Sequence, residues 1–220
     1  MKRIIAIGLI FSFVSQKAFA ITIKENILFC YSKSVNTWSL DNEYFSVIKD
    51  SAAGTSSKIK GFGSRVIVAL ENTTIKSSKG IVNLKRGELT VFLETQTYQL
   101  PVGSYFEIKF KKNYPPLTKL EEWLEPLVSD PLLSENAEFR VFEEILQLGD
   151  IRELHSHTQP LVVRLNQVQL TDPRHSTSGK PGAGIQFANT VKFAEPVVHA
   201  VKNLSNIPLF NIVIEFKIPH

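Results

Sequence analysis

Short apolar runs that alternate residue by residue, repeatedly broken by glycine, serine, asparagine and proline, constrain this chain more than any other feature. Tyr44–Ile48, Arg65–Leu70, Glu88–Leu93, Tyr105–Phe110, Leu161–Leu165 and Asn211–Phe216 are rich in Val, Ile and Phe and of strand length. Phe210-Asn211-Ile212-Val213-Ile214-Glu215-Phe216-Lys217 alternates most cleanly. Alternate residues on a strand face opposite sides, so such runs bury one face and predict an all-β sandwich or barrel. There is no phosphate-binding glycine loop and no strand–helix alternation, which argues against a doubly wound α/β fold. One segment departs from the pattern. Leu117, Leu120, Trp123, Leu124 and Leu127 fall at helical spacing between Pro115-Pro116 and Pro131, predicting a short amphipathic helix.

The first twenty residues read as a targeting segment. Lys2 and Arg3 precede an apolar run from Ile4 to Val14, and Ala18-Phe19-Ala20 supplies a small-x-small cleavage signature after Ala20. Eleven residues rise only about 16 Å as a helix, too little for a hydrocarbon core of about 30 Å. The expectation is bacterial export, with the mature protein periplasmic or secreted and meeting the membrane only through its signal peptide. Removing residues 1–20 leaves 22 basic against 21 acidic residues. The basic character of the full chain therefore belongs to the leader and argues for no nucleic-acid partner. Cys30 is the sole cysteine, which excludes a disulfide framework, and its apolar run suggests an inert buried thiol. Lys109-Phe110-Lys111-Lys112 reads as a solvated strand edge, and Glu143-Glu144 as a solvated face.

The chain also repeats itself. A shift of 95 residues aligns 41–102 with 136–197 without a gap, with ten identities, Val68/Val163 and Leu70/Leu165 among them. The apolar pattern agrees better than identity does, Val66–Leu70 falling on Leu161–Leu165. Two copies of one β domain follow, over 21–114 and 134–220, joined by a helical linker over 115–133.

Three of the five histidines form a pattern. His155 and His157, two apart on a strand, point to one face, and His199 on another strand could complete a three-nitrogen site. Such a donor set suits a divalent transition metal with open positions for water or substrate. The same trio could instead hydrogen-bond an organic ligand in an apolar barrel, or serve structure alone. Asn203 reads as a turn former, and His175 and His220 as solvated.

These residues resemble the cupin superfamily. His155-Ser156-His157 is similar to its first motif, and Pro196…His199-Ala200-Val201-Lys202-Asn203 to its second. Through the repeat, the whole chain resembles a bicupin: two tandem jelly-roll barrels with a short helical linker. The resemblance implies a metal held by His155, His157 and His199, and metal-dependent oxygenase or isomerase chemistry if the protein is an enzyme. The family's glutamate would fall on Leu161 or Val162, both apolar, with Gln159 as a poorer auxiliary donor. In the first copy the three histidines correspond to Lys60, Phe62 and Ser104, which implies a structural or ligand-binding half without metal. The expectation is an exported bicupin-like protein that binds a divalent metal or a small molecule, with a metal-free structural or binding module as the alternative. A homodimer is compatible with either reading.

Overall fold

The computed structural model describes residues 21–23, 27–31, 38–50, 62–99, 101–112, 131–157, 159–172, 184–194 and 196–217. Among these, every regular element is a strand. The signal segment, the helix expected from Leu117, His175 and His220 lie outside the described residues. After the expected linker segment, Leu132–Glu135 is a strand bonded to its successor.

The N-terminal half is dominated by a seven-stranded sheet, ordered β1 (Ile21–Ile23), β2 (Ile27–Tyr31), β3 (Trp38–Asp41), β4 (Phe45–Asp50), β9 (Tyr105–Lys111), β5 (Phe62–Ala69) and β8 (Leu89–Phe92). The hairpin of β6 (Thr73–Ser77) and β7 (Gly80–Leu84) faces it, and isolated bridges tie β6 to Tyr98 and Val102. The C-terminal half repeats the plan. A five-stranded sheet runs β10 (Leu132–Glu135), β11 (Phe139–Leu146), β18 (Leu209–Phe216), β13 (Leu161–Arg164) and β16 (Thr190–Phe193). Opposite lies a four-stranded sheet, β12 (Ile151–His157), β17 (Val197–Asn203), β14 (Val168–Thr171) and β15 (Gly184–Gln186).

Alternation on β9 and β18 explains how the halves join. Phe106, Ile108 and Phe110 point outward from the first barrel, as Ile212, Ile214 and Phe216 do from the second, and all six enter one hydrophobic core that spans both halves. Phe110 stacks on Phe139 at 4.5 Å between ring centroids, and Phe45 meets Phe193 edge-on at 5.0 Å. Polar clasps flank this core. The Arg86 guanidinium donates to the carbonyls of Leu70 and Leu165, and the Ser64 amide donates to Glu138 Oε2 at 3.1 Å. Gly87, at φ +84°, stands against the Phe210 ring with no room for a Cβ.

The duplication is visible in the hydrogen-bonding register, but not at one constant shift. Val66 and Leu161 occupy equivalent places, opposite Ile108 and Ile214, which confirms the 95-residue offset for β5 and β13. Before them the offset is 94. Asn42 Oδ1 accepts from the amides of Tyr44 and Phe45, as Asn136 Oδ1 does from Glu138 and Phe139. It grows to 102 at β8 and β16 and to 106 at β9 and β18, because loops lengthened in the second copy. Ser104 is thus equivalent to Phe210, not His199: their carbonyls accept from Leu70 and Leu165 respectively.

The inward faces of the two halves differ. The N-terminal barrel is filled by Ile67, Ile75, Leu84, Phe92, Tyr98 and Tyr105. Among them Tyr98 donates to Glu107, Glu107 pairs with Lys109 at 3.3 Å, and the Arg65 guanidinium lies 4.8 Å from the Tyr98 ring centroid. Lys109 is therefore no solvated edge residue. It is 3% exposed on a strand flanked on both sides, and Glu107 balances its charge. Glu144 corrects the sequence expectation in the same way, being 7% exposed and turned inward.

Candidate metal centre

Three imidazoles converge inside the C-terminal barrel. The antiparallel register sets His155 on β12 directly opposite His199 on β17, and strand alternation brings His157 to the same face. Their candidate donor atoms all lie within 4.8 Å of one another. Ring centroids are 4.6 Å apart for His155 and His199, 4.7 Å for His155 and His157, and 5.3 Å for His157 and His199. A bulge between Arg152 and His155 sets the twist that turns the pair inward.

Each of the first two rings is oriented by a partner. His155 Nδ1 lies 2.7 Å from the Glu153 carbonyl, and His157 Nδ1 lies 2.7 Å from Glu215 Oε1. A carbonyl and a carboxylate can only accept, so both Nδ1 atoms carry the proton in the neutral rings and both Nε2 atoms present lone pairs. Those two Nε2 atoms face each other at 3.0 Å. Two opposed lone pairs repel, and a cation between them relieves the repulsion. Bonds of about 2.0–2.1 Å from each nitrogen to one ion would span such a gap. Burial holds the pKa of His155 below the ordinary histidine value, aided by His157 and Arg152 and opposed by the Glu153 hydrogen bond and Glu144. The ring is thereby kept neutral and able to donate. The donor types, and the 3.0 Å separation of the His155 and His157 Nε2 atoms, fit a divalent transition metal.

Glu215 was not singled out from the sequence. It is 1% exposed on β18, with Arg140 3.5 Å from Oε2. The sequence carried no signal for it, since Glu215 falls opposite the apolar face of Ile212, Ile214 and Phe216, where a solvated carboxylate is the ordinary expectation. Glu215 fixes the tautomer and orientation of His157. Gln159 lies in the turn after β12 at φ 86°, a left-handed conformation unusual for its type. Its Oε1 is buried without a hydrogen bond, and Gln159 is not among the residues that line the cavity, although His157 and Pro160 are. Leu161 points away into the shared core and Val162 lines the cavity, so neither position supplies a carboxylate. Asn203 does work as a clamp: its Nδ2 donates to the carbonyls of Leu146 and Ile207, and its Oδ1 accepts from the Ser205 amide.

Between the two sheets, beside His157 and His199, opens a cavity of about 840 Å3. Its wall is largely apolar, with Val162, Leu170, Val197 and Val213, and polar groups are grouped at Glu144, Arg164, Gln186, Lys192 and Asn211.

No family model and no curated protein matches the chain. Solved structures do. A cupin 2 conserved barrel domain protein from Leptotrichia buccalis aligns over 93% of this chain and 92% of its own, at TM-score 0.52 and 12% identity. AerE from Microcystis aeruginosa aligns over 91% and 97%, at TM-score 0.54 and 11% identity. An oxalate decarboxylase aligns over 95% and 79%, at TM-score 0.50 and 13% identity. The chain has the cupin fold. Its particular form is the bicupin, two jelly-roll barrels in tandem with the histidine cluster in the second.

Proposed function

We propose that this is an exported bicupin-fold protein whose C-terminal barrel binds a divalent transition metal through His155, His157 and His199 and a small molecule in the adjoining cavity. The observation that carries the reading is the opposition of two lone-pair Nε2 atoms at 3.0 Å, each fixed by a partner on its Nδ1. His199, directly across the strand pair from His155, completes the donor set. When bound, the ion would supply Lewis acidity or a centre for oxygen activation. The chain's own contribution is to orient His157 through Glu215, to keep His155 neutral by burial, and to line a partly apolar chamber beside them. Export is supported by Lys2-Arg3, the apolar run that follows and Ala18-Phe19-Ala20.

The test is metal analysis of untagged mature protein. One divalent ion per chain is expected, lost in His155→Ala and in His199→Ala while the metal-free proteins keep their fold by circular dichroism. Protein that takes up no manganese, iron, nickel, copper or zinc at micromolar concentration overturns the metal reading. The second reading, a metal-free barrel binding an organic ligand, is favoured by the apolar Leu161 and Val162 where the family's glutamate would stand. It then becomes the account of the cavity.

A further inference from the structure

The cavity wall formed by the five-stranded sheet is electrically lopsided. Glu144 on β11 and Arg164 on β13 are both direct cross-strand partners of Asn211 on the strand between them. Lys192 on β16 pairs with Val162 in the neighbouring row. With strands about 4.8 Å apart, acid and guanidinium are rooted about 10 Å from each other, the cations together on one side. All four polar side chains line the cavity, and Asp172 adds a second carboxylate from the end of β14. The chamber therefore carries two acids, one from each sheet, and two bases, which suits a ligand with both a donor and an acceptor end better than one of a single sign.

The acid is held in place. Asn211 Nδ2 donates to Glu144 Oε2 at 2.8 Å, and Gln186 Nε2 donates in turn to Asn211 Oδ1 at 2.7 Å. Arg152 Nε stands 3.9 Å from the other carboxylate oxygen. A carboxylate has about four acceptor sites, so capacity for a ligand donor remains. The acid is common to both copies, Glu144 corresponding to Asp50, but the rest of the arrangement is not. At the equivalent positions of the filled N-terminal barrel, Arg164, Lys192 and Asn211 are replaced by Ala69, Thr90 and Tyr105.

The geometry points to a small dipolar acid as the occupant: a carboxylate set against Arg164 and Lys192, an ammonium or hydroxyl donor toward Glu144, and a short hydrocarbon body on Val162 and Val213. This deepens the reading of the C-terminal barrel as a ligand chamber and does not require the metal. Calorimetric titration of metal-free mature protein tests it with four probes of one skeleton: valine, its hydroxy-acid analogue, isovalerate and isobutylamine. A parallel zinc titration reports separately on the metal reading. The two bifunctional probes are expected to bind at least about ten-fold tighter than either monofunctional one, a difference of about 1.4 kcal/mol. Arg164→Ala should bring valine down to the level of the plain amine, and Glu144→Gln should erase any preference for ammonium over hydroxyl. If Glu144→Gln does not fold, Lys192→Met reads the same wall from its cationic side, with valine weakened toward the amine. Equal binding of all four probes, binding of none, or valine affinity untouched by the variants overturns the proposal, whatever zinc does.

Discussion

Glu215 tunes the histidine cluster from outside it, and His155 from within. Glu215 reaches the site through the Nδ1 of His157, so Glu215→Gln should leave the fold intact yet weaken metal uptake about 10- to 100-fold, as the loss of a ligand's orienting partner commonly does. Competitive titration against a chelator measures this, and undiminished affinity would show that Glu215 serves packing alone. His155 makes a different demand. Its pKa is lowered in the folded protein, chiefly by burial, so on acidification the unfolded chain takes up the proton first. Stability therefore rises with pH between the lowered value and the ordinary value of about 6.5, and is lost as pH falls through that window. Metal-free wild type should lose more melting temperature than His155→Gln between about pH 8 and pH 5, and parallel curves would contradict the sign. The residue scale is also where sequence reading went furthest and stopped shortest. His155, His157 and His199 were legible because two-residue spacing on a strand dictates a shared face. Glu215, Glu144 and Lys109 were not, because a charge on an alternating strand looks the same from the sequence whether it meets water or a buried partner.

At the level of elements, the turns between strands carry the junction of the halves. Gly87 and Gly149 share a left-handed backbone, at φ +84° and +79°, but a Cβ at Gly87 would sit 2.5 Å from Phe210 whereas Gly149 faces open space. Gly149→Ala should cost only the backbone strain, about 1–2 kcal/mol. Gly87→Ala adds displacement of an aromatic ring at the joint and should cost about 2–3 kcal/mol or more. Thermal melting of the two variants separates the contributions, and equal losses would mean that Phe210 yields without consequence. The strands themselves were readable from β-branched alternation, and Val66–Leu70 did match Leu161–Leu165 as the repeat required. The loops between them were not readable. Their lengths drift by several residues between copies, so one ungapped shift was right only near β5 and β13.

For the whole molecule, the decisive feature is that both barrels turn an apolar face to a common core. Nineteen buried side chains from the two halves make a single cluster, Phe106, Ile108 and Phe110 meeting Ile212, Ile214 and Phe216 among them. Neither half can be solvated on that face without exposing it, so calorimetry should record one transition whose calorimetric and van't Hoff enthalpies agree. Residues 131–217 made alone should associate or aggregate. Two separated transitions, or a monomeric soluble C-terminal half, would show that the barrels fold independently. The two-domain organisation could be inferred from the repeat, but not this seam, because an outward-facing Phe or Ile has the same two-residue period as an inward one.

The plugged interior of the first barrel bears on how the protein can change over time. Where Tyr98, Glu107, Lys109 and Arg65 close the chamber, the first copy is masonry against which the second leans. Substitutions on its inner wall will register as differences in endurance, while those in the hollow twin can alter what the chamber holds.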